Sequence, residues 1–157
     1  MRSAELTIGR TFGVVLDPGE DFFGCLAEFC QEHGIRQGYI PMFVAAFAEA
    51  DIVGACDKVE NPDAPIWSTV HLTNVEAIGG GTIAYDPDTD QILPHIHTTL
   101  GEKERSATGY TSHLLAATVQ FLVEMVLVEV TAPAITRPRN PHLYDVPQLT
   151  FGPWVGS

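Results

Sequence analysis

The sequence predicts one α+β domain in which β-strands predominate over helices. Three observations lead to this fold class. The chain has 157 residues, of which 45% are apolar and 18% charged, so it has the size and composition of one domain with a substantial core. Several apolar segments are rich in β-branched and aromatic residues and are bounded by turn residues. One segment near the N-terminus has apolar residues at clear helical spacing.

The N-terminal part predicts a strand followed by a helix. The strand covers residues 6–16 and stops at the turn Asp17-Pro18-Gly19. Residues 20–34 predict a helix, because apolar residues recur at helical spacing, acidic residues crowd the first turn, and Gly34 supplies a C-terminal stop. His33 lies beside that stop and is interpreted as a helix-end residue, not a ligand.

The central part begins with an ambiguous segment. Residues 39–54 are almost wholly apolar and fit either a strand buried on both faces or a short helix, and residues 56–65 predict a loop. Residues 67–78 predict a strand. Gly79-Gly80-Gly81 then predicts a tight turn or a bulge before a further short strand. A phosphate-binding loop is disfavoured because no helix is predicted after these glycines.

The segment from residue 86 onward predicts a turn, an extended segment and a loop. Residues 86–90 carry three aspartates but lack the following Gly and distal Glu of a calcium loop, so they are interpreted as a turn. The chain then returns into an extended segment that contains two histidines. Residues 102–108 predict an exposed loop.

The C-terminal part contains the most apolar segment of the chain. Residues 114–131 fit both a helical and an alternating period; an element that is helical near His113 and extended after Val119 is also compatible with them. The tail is rich in proline and predicts one short strand at residues 148–151. We expect the domain to cover residues 5–152 and to be followed by a tail at 153–157.

Charge and cysteine content exclude several classes of protein. The formal net charge is −12, and no basic stripe exists, which disfavours direct binding to nucleic acid. Cys25, Cys30 and Cys56 form no Cys-x-x-Cys pair and are interpreted as reduced, packed thiols. The N-terminus has no signal-peptide pattern and no apolar run has the length of a membrane span, so a cytoplasmic protein is the default expectation.

Three histidines are the candidate metal ligands. His95 and His97 lie in an extended segment, where residues i and i+2 point to the same face. A third imidazole from a neighbouring strand, with His113 as the candidate, would complete a three-nitrogen site with an open fourth position, typical of reactive or exchangeable zinc. We therefore predict a divalent metal, with zinc as the expected ion. The alternative is a pair of polar residues on a solvated face.

Several sequence pieces, in this order, carry a resemblance to a known family. They are Arg10-Thr11-Phe12, Gly19-Glu20-Asp21, Gly81-Thr82-Ile83-Ala84, Pro94-His95-Ile96-His97 and His113-Leu114-Leu115. Together with the helix before Gly34 and the closing portion at 139–149, they resemble the PPC (plants and prokaryotes conserved) domain family over nearly the whole chain.

This resemblance implies a single domain with a curved, largely antiparallel sheet and few helices, assembled as a homotrimer. It also implies a metal on His95, His97 and His113, because some prokaryotic members carry an ion at the matching positions. Plant members are DNA-binding and regulatory proteins with AT-hooks, but Arg137-Pro138-Arg139 lacks the glycine core and basic flanks of that motif. Thr111-Ser112 stands where the family commonly has two glycines.

A second family shares part of the pattern. His95 and His97 followed by Glu102 and Gly109 reproduce most of the first cupin motif, in which these residues surround a metal inside a β-barrel. Its leading glycine would fall at Thr89, and no second motif follows. The predicted N-terminal helix also fits an all-β barrel poorly.

Two functions follow as hypotheses. The first is a trimeric metal-binding module that acts in regulation or binds a small molecule. The second, less favoured, is a small enzyme in which zinc activates a water molecule and Glu102, Glu124 or His71 accepts a proton. The simplest structural alternative is an ion that only ties strands together. No residue is assigned a catalytic role.

Overall fold

Five long strands form the main sheet, and one helix packs against it. The computed structural model describes residues 1–55, 67–102, 105, 108–143 and 145–152. The strands are β1 (Thr7–Leu16), β2 (Gly38–Ala55), β3 (Trp67–Asp86), β4 (Gln91–Glu102), β5 (Gly109–Ala132), β6 (Ala134–Thr136), β7 (Arg139–Asn140), β8 (Val146–Pro147) and β9 (Thr150–Gly152). The helix α1 (Phe22–His33) follows β1, and a 3₁₀ turn (Pro141–Leu143) follows β7. The predicted strand-dominated α+β fold is confirmed.

The sheet closes on itself through its longest strand. The strand order is β1-β5-β2-β3-β4, every pairing is antiparallel, and β4 pairs with β5 as well. With 24 residues, β5 is long enough to pair with β1 through residues 123–132, with β2 through 113–129 and with β4 through 109–113. The strands β5, β2, β3 and β4 therefore form a closed ring, which brings the N-terminal end of β5 to the C-terminal half of β4.

Helix α1 has well-defined ends. The side chain of Asp21 accepts a hydrogen bond of 2.6 Å from the backbone N–H of Gly24, and Gly34 ends the helix in the left-handed region with φ 64°. The predicted helix is confirmed, although the acidic residues precede the first turn and Asp21 serves as its N-cap. On the buried face, the Phe22 ring lies 5.2 Å from that of Phe43 in β2.

The two ambiguous apolar segments are both strands. Residues 39–54 belong to β2, which is paired on one side with β3 and on the other with β5. The helical interpretation near His113 is wrong, because β5 is continuous from Gly109 to Ala132. Leu115 and Leu122, which only the helical pattern would bury, are 44% and 40% exposed, whereas Val123 and Leu127 of the alternating pattern are buried. Strands on both sides of β5 take up its backbone hydrogen bonds, and its side chains alternate between buried and exposed positions. Both features favour the extended conformation over a helix.

Gly79-Gly80-Gly81 does not form a turn. The strand β3 runs straight through it, and the predicted short strand at 82–85 is its continuation. A bulge exists here, but it lies on β2, between Ile40 opposite Gly81 and Phe43 opposite Gly79. A Cβ at Gly79 would lie 2.6 Å from the carbonyl oxygen of His97. The glycines therefore allow β4 to approach β3 closely at the histidines.

A buried glutamine holds the end of β5 against β6. Gln37 is 1% exposed; it donates hydrogen bonds to the carbonyl oxygens of Val130 (3.1 Å) and Pro133 (2.7 Å), and accepts one from the Ile135 N–H (2.5 Å). This fixes the direction in which the chain leaves the main sheet. The predicted C-terminal strand is found as β9, two residues further along, paired with β6.

The Arg10-Thr11-Phe12 motif joins three elements. Arg10 forms an ion pair with Glu129 of β5 at 2.7 Å, donates a hydrogen bond to the His33 carbonyl at 2.8 Å, and lies over the Phe12 ring. The Arg10 hydrogen bond lowers the pKa of Glu129 to about 2. His33 lies at the helix end as predicted, and Arg10 satisfies a carbonyl group there.

The remaining predictions concern turns, cysteines and membrane spans. The turn after Asp86 is confirmed. Cys25 and Cys30 are free thiols, and burial raises the pKa of Cys30 to about 11; Cys56 and the predicted loop at 56–65 lie outside the described residues. In the described ranges, no helix has both the length and the apolar character required to cross a bilayer.

Candidate metal centre

Closure of the sheet brings the three predicted histidines together. His95 and His97 project from one face of β4, and His113 of β5 is the direct cross-strand partner of His97. The Nε2 atoms of His95 and His97 lie 3.1 Å apart. One ligand nitrogen from each ring lies within 4.8 Å of the other two. Residues far apart in the chain thus form one cluster, which is the arrangement that a three-nitrogen site requires.

Burial favours the neutral form of two of these imidazoles. The pKa of His95 is lowered to about 4, first by burial and then by the charges of Arg137, His113 and His97. The pKa of His113 is lowered by burial, by His97 and by Arg137. Both rings are therefore uncharged at neutral pH, and only an uncharged imidazole has a lone pair available for a metal.

The chemistry and spacing of the cluster fit a divalent ion. His113 Nδ1 is buried and makes no hydrogen bond, one of two such side-chain nitrogen atoms in the described part of the chain. Nitrogen ligands of tetrahedral zinc lie roughly 3.3 Å apart, given a Zn–N distance of about 2.0–2.1 Å. The 3.1 Å separation in β4 is close to that value, and a nitrogen of His113 lies within 4.8 Å of both. Imidazole donors of this kind suit zinc and related metals.

The second unpaired buried nitrogen belongs to a residue that the sequence did not indicate. Arg137 follows β6, and its Nε makes no hydrogen bond, while its Nη2 donates to the Thr82 hydroxyl. Thr82 lies opposite His95 in the pairing of β3 with β4. In the sequence, Arg137 stands out only as part of an incomplete AT-hook and as one of few basic residues, since the whole chain has 8 Lys and Arg.

The three residues predicted as candidate proton acceptors lie outside the histidine cluster. Glu102 is five residues beyond His97 on β4, about 17 Å along the strand and on the opposite face; it pairs with Arg105 at 3.7 Å. Glu124 is eleven residues along β5 from His113. His71 is exposed and bonded to Asp51 at 2.7 Å. Because Glu102 is not in the histidine cluster, the cupin-type ligand set is not formed.

The aspartates of the predicted turn do not gather into a metal site among the described residues. Asp86 accepts hydrogen bonds from the Asp88 N–H at 3.0 Å and the Thr89 hydroxyl at 2.9 Å. Asp90 accepts one from the Tyr85 hydroxyl. These contacts support the interpretation as a turn.

A cavity of about 670 Å³ adjoins the cluster. Leu93 lines it, and Leu93 shares the β4 face of His95 and His97. Arg137 lines it as well. The other lining residues come from the end of β3, the turn after it, and the C-terminal segment; they are Tyr85, Asp86, Pro87, Asp88, Ala134, Thr136, Pro138, Arg139, Pro147, Thr150 and Gly152. None of the three histidines lines the cavity; Leu93 and Arg137 are the lining residues that connect it to the cluster.

Solved structures share the fold. A metal-containing protein from Archaeoglobus fulgidus is 22% identical, with a TM-score of 0.79 over 96% of this chain and 99% of its own. A plant- and prokaryote-conserved (PPC) protein from Pyrococcus horikoshii is 19% identical, with a TM-score of 0.77 over 94% and 97%. A Bacteroides thetaiotaomicron protein, named as a candidate DNA-binding protein, is 22% identical, with a TM-score of 0.74 over 93% and 97%. A comparison with curated protein sequences finds no match.

The sequence itself matches a family model. The Plants and Prokaryotes Conserved (PCC) domain matches residues 3–131, from the start of β1 almost to the end of β5. The match contains all three histidines, whereas Arg137 lies beyond it. The predicted resemblance is confirmed: this chain belongs to the Plants and Prokaryotes Conserved domain family.

Proposed function

We propose that this protein is a metal-binding module that holds a divalent ion, zinc by expectation, on His95, His97 and His113. The observation that carries the proposal is the convergence of one nitrogen from each ring within 4.8 Å. The lowered pKa of His95 and the unpaired Nδ1 of His113 support it, because a metal ligand must be uncharged and must have a lone pair that no hydrogen bond uses. The relative from Archaeoglobus fulgidus is itself named as metal-containing.

The ligand set determines what the centre does. Three protein ligands leave a position on zinc for an exchangeable molecule, and the bound ion would supply a Lewis acid there. The strands β4 and β5 fix the ligand positions. The cavity lined by Leu93 and Arg137 is the nearby space that a small molecule could occupy. We therefore propose that the module binds a small molecule at its metal and acts through that binding, for example in regulation.

A second candidate function is catalysis with the same ion. The cavity beside the cluster favours it, since 670 Å³ is ample for a small substrate. Glu102 and Glu124 lie far along their strands from the histidines, and His71 is bonded to Asp51 outside the cluster, so none of them is placed to accept a proton at this site. Binding is therefore the better supported function.

DNA is a weaker candidate partner. Two structural relatives are named as candidate DNA-binding proteins, but this chain has a net charge of −12. Phosphate contacts require Lys and Arg on the binding surface. We propose that any regulatory role operates through the bound ligand or a protein partner.

We also propose that the module is a homotrimer, as the family resemblance implies. Large apolar side chains are exposed on adjacent strands of the sheet: Val15 on β1 is 65% exposed, Phe121 on β5 64% and Met42 on β2 44%. Sedimentation equilibrium should give a mass near three times the 17.0 kDa of one chain, and Phe121→Asp should lower it. A mass of one chain at every concentration would refute the trimer.

The metal content of purified protein tests the main proposal. Elemental analysis should find one divalent ion per chain at neutral pH. Because the pKa of His95 is lowered to about 4, protons compete with the metal at this ligand only at low pH, so loss of the ion through protonation of His95 should occur as the pH approaches 4. Protein that contains no metal and takes up no added zinc at pH 7.5 would contradict the proposal.

A further inference from the structure

Among the residues that the structure describes, Arg137 has no anionic partner. It is half-buried, and its described contacts include no carboxylate, although the chain has 20 Asp and Glu residues. Burial lowers its pKa, and no acidic group acts in the other direction. Buried arginines are ordinarily paired with an anion, since an unpaired buried charge is costly. The guanidinium group of Arg137 can therefore bind an anion that comes from outside the chain.

The position of Arg137 links the cavity to the histidines. Its hydrogen bond to Thr82 places it beside the strand position opposite His95. It also lines the cavity, together with Leu93 of the histidine strand. Gln37 fixes the start of β6, three residues before Arg137, so the approach of the guanidinium group is set by buried hydrogen bonds.

We propose that Arg137 binds the carboxylate of a small organic acid, which occupies the cavity with its charged end next to the metal centre. This inference rests on the proposed metal-binding function and names its ligand class. A guanidinium group presents parallel N–H donors that match the two oxygens of a carboxylate. The Nε–H of Arg137 has no other partner, and a carboxylate would satisfy it.

The cavity walls restrict the rest of the ligand. Leu93, Ala134 and Pro138 contribute apolar surface, which suits a short hydrocarbon group. Asp86, Asp88 and Arg139 also line the cavity. The two carboxylates balance the two guanidinium groups of the lining, so no net positive charge remains for a second carboxylate. A monocarboxylate with an apolar substituent therefore fits better than a dicarboxylate.

A competing explanation is that Arg137 is a structural strut, that is, a residue that only stabilises β3 through its hydrogen bond to Thr82. The two explanations predict different metal affinities when Arg137 is replaced. A strut that positions the histidine strand would weaken metal binding when it is removed. A ligand-binding cation would not, because removing a positive charge beside the histidines favours a bound cation.

The test uses full-length protein loaded with Co²⁺, which replaces zinc and has a visible spectrum sensitive to its ligands. Butyrate is titrated into wild type, Arg137→Met and Arg137→Lys, with absorption and calorimetry as readouts. Arg105→Met is the matched control, since it removes one positive charge from an exposed pair with Glu102. We expect Arg137→Met to weaken butyrate binding roughly ten- to a hundredfold, Arg137→Lys to weaken it less, and Arg105→Met to leave it unchanged.

Measured metal affinity distinguishes a failure of the carboxylate proposal from a failure of the metal-binding proposal. Arg137→Met should bind Co²⁺ at least as tightly as wild type; weaker metal binding would establish the strut instead. Equal butyrate binding by wild type and Arg137→Met, or none by metal-loaded wild type, would overturn the carboxylate site while leaving the metal centre intact. Stronger Arg137-dependent binding of inorganic phosphate than of butyrate would overturn the ligand class. A wild type that binds no metal would refute the proposed function itself.

Discussion

Replacing His97 with alanine should lower the affinity of the protein for zinc by at least about a hundredfold, more than the ten- to hundredfold cost of losing an outer-shell partner. His97 is the central member of the cluster: its Nε2 lies 3.1 Å from that of His95, and it faces His113 across the strand pair. Its removal leaves two imidazoles, which hold zinc far less tightly than three. A competition titration with a chromophoric chelator measures the affinity.

The design of this experiment separates ligand loss from misfolding. His97 is exposed, so the metal-free variant should keep the thermal stability of metal-free wild type. His71→Ala is the matched control, because His71 is an exposed histidine that is bonded to Asp51 and lies outside the cluster. Wild-type zinc affinity in His97→Ala, or an equal loss in His71→Ala, would show that the cluster is not the binding site.

The zinc-bound state should also be more stable than the metal-free state in wild type and not in His97→Ala. An ion that binds only the folded chain stabilises it according to its free concentration and dissociation constant. The site joins β4 to β5 where the ring of strands closes. Thermal unfolding with and without added zinc measures this difference. Equal zinc-induced shifts in both proteins would contradict the assignment of His97 as a ligand.

Local pattern was sufficient to predict the helix and the histidine strand. The apolar spacing and the stop at Gly34 are contained within one short segment, so α1 was recognisable, although the role of Asp21 as its N-cap was not predicted. The pairing of His95 with His97 follows from strand geometry alone. Neither needs information on distant parts of the chain.

Features that depend on distant contacts were harder to predict. The helical spacing around His113 was misleading because β5 is stabilised by strands on both sides, a tertiary effect that overrides local preference. The resemblance to the PCC family, and not the spacing, indicated that His113 would meet β4. Arg137 was missed because its place depends on Gln37 and on the path of the chain after β5.

Gly79-Gly80-Gly81 shows the same limitation. A glycine run predicts a turn when only neighbours in sequence are considered. In the structure these residues lie inside a strand whose partners on both sides approach too closely for side chains. At Gly81 a Cβ would lie 2.9 Å from the carbonyl carbon of His95, and closer still to the carbonyl oxygen. The run is therefore part of what positions the histidines.

Gly81→Ala should accordingly damage stability and metal binding together. The added methyl group meets backbone of β4, which cannot move aside as a flexible side chain can, so we expect a loss of about 2–3 kcal/mol in the free energy of unfolding. The same displacement moves His95 away from His97, so zinc affinity should fall about tenfold or more, by analogy with the loss of a group that orients a ligand. Urea unfolding and chelator competition measure the two quantities.

Gly13→Ala provides the control for this prediction. Gly13 also lies inside a strand, but a Cβ there meets no atom within 4 Å. Because alanine loses less conformational entropy on folding than glycine, this variant should be more stable by about 0.5–1 kcal/mol. Its zinc affinity should equal that of wild type. A loss of stability in Gly81→Ala together with a gain in Gly13→Ala would show that the close approach of β4, and not glycine content as such, is the reason for glycine at position 81. A stable Gly81→Ala with unchanged zinc affinity would mean that the histidine strand tolerates displacement, and the geometric basis of the site would have to be abandoned.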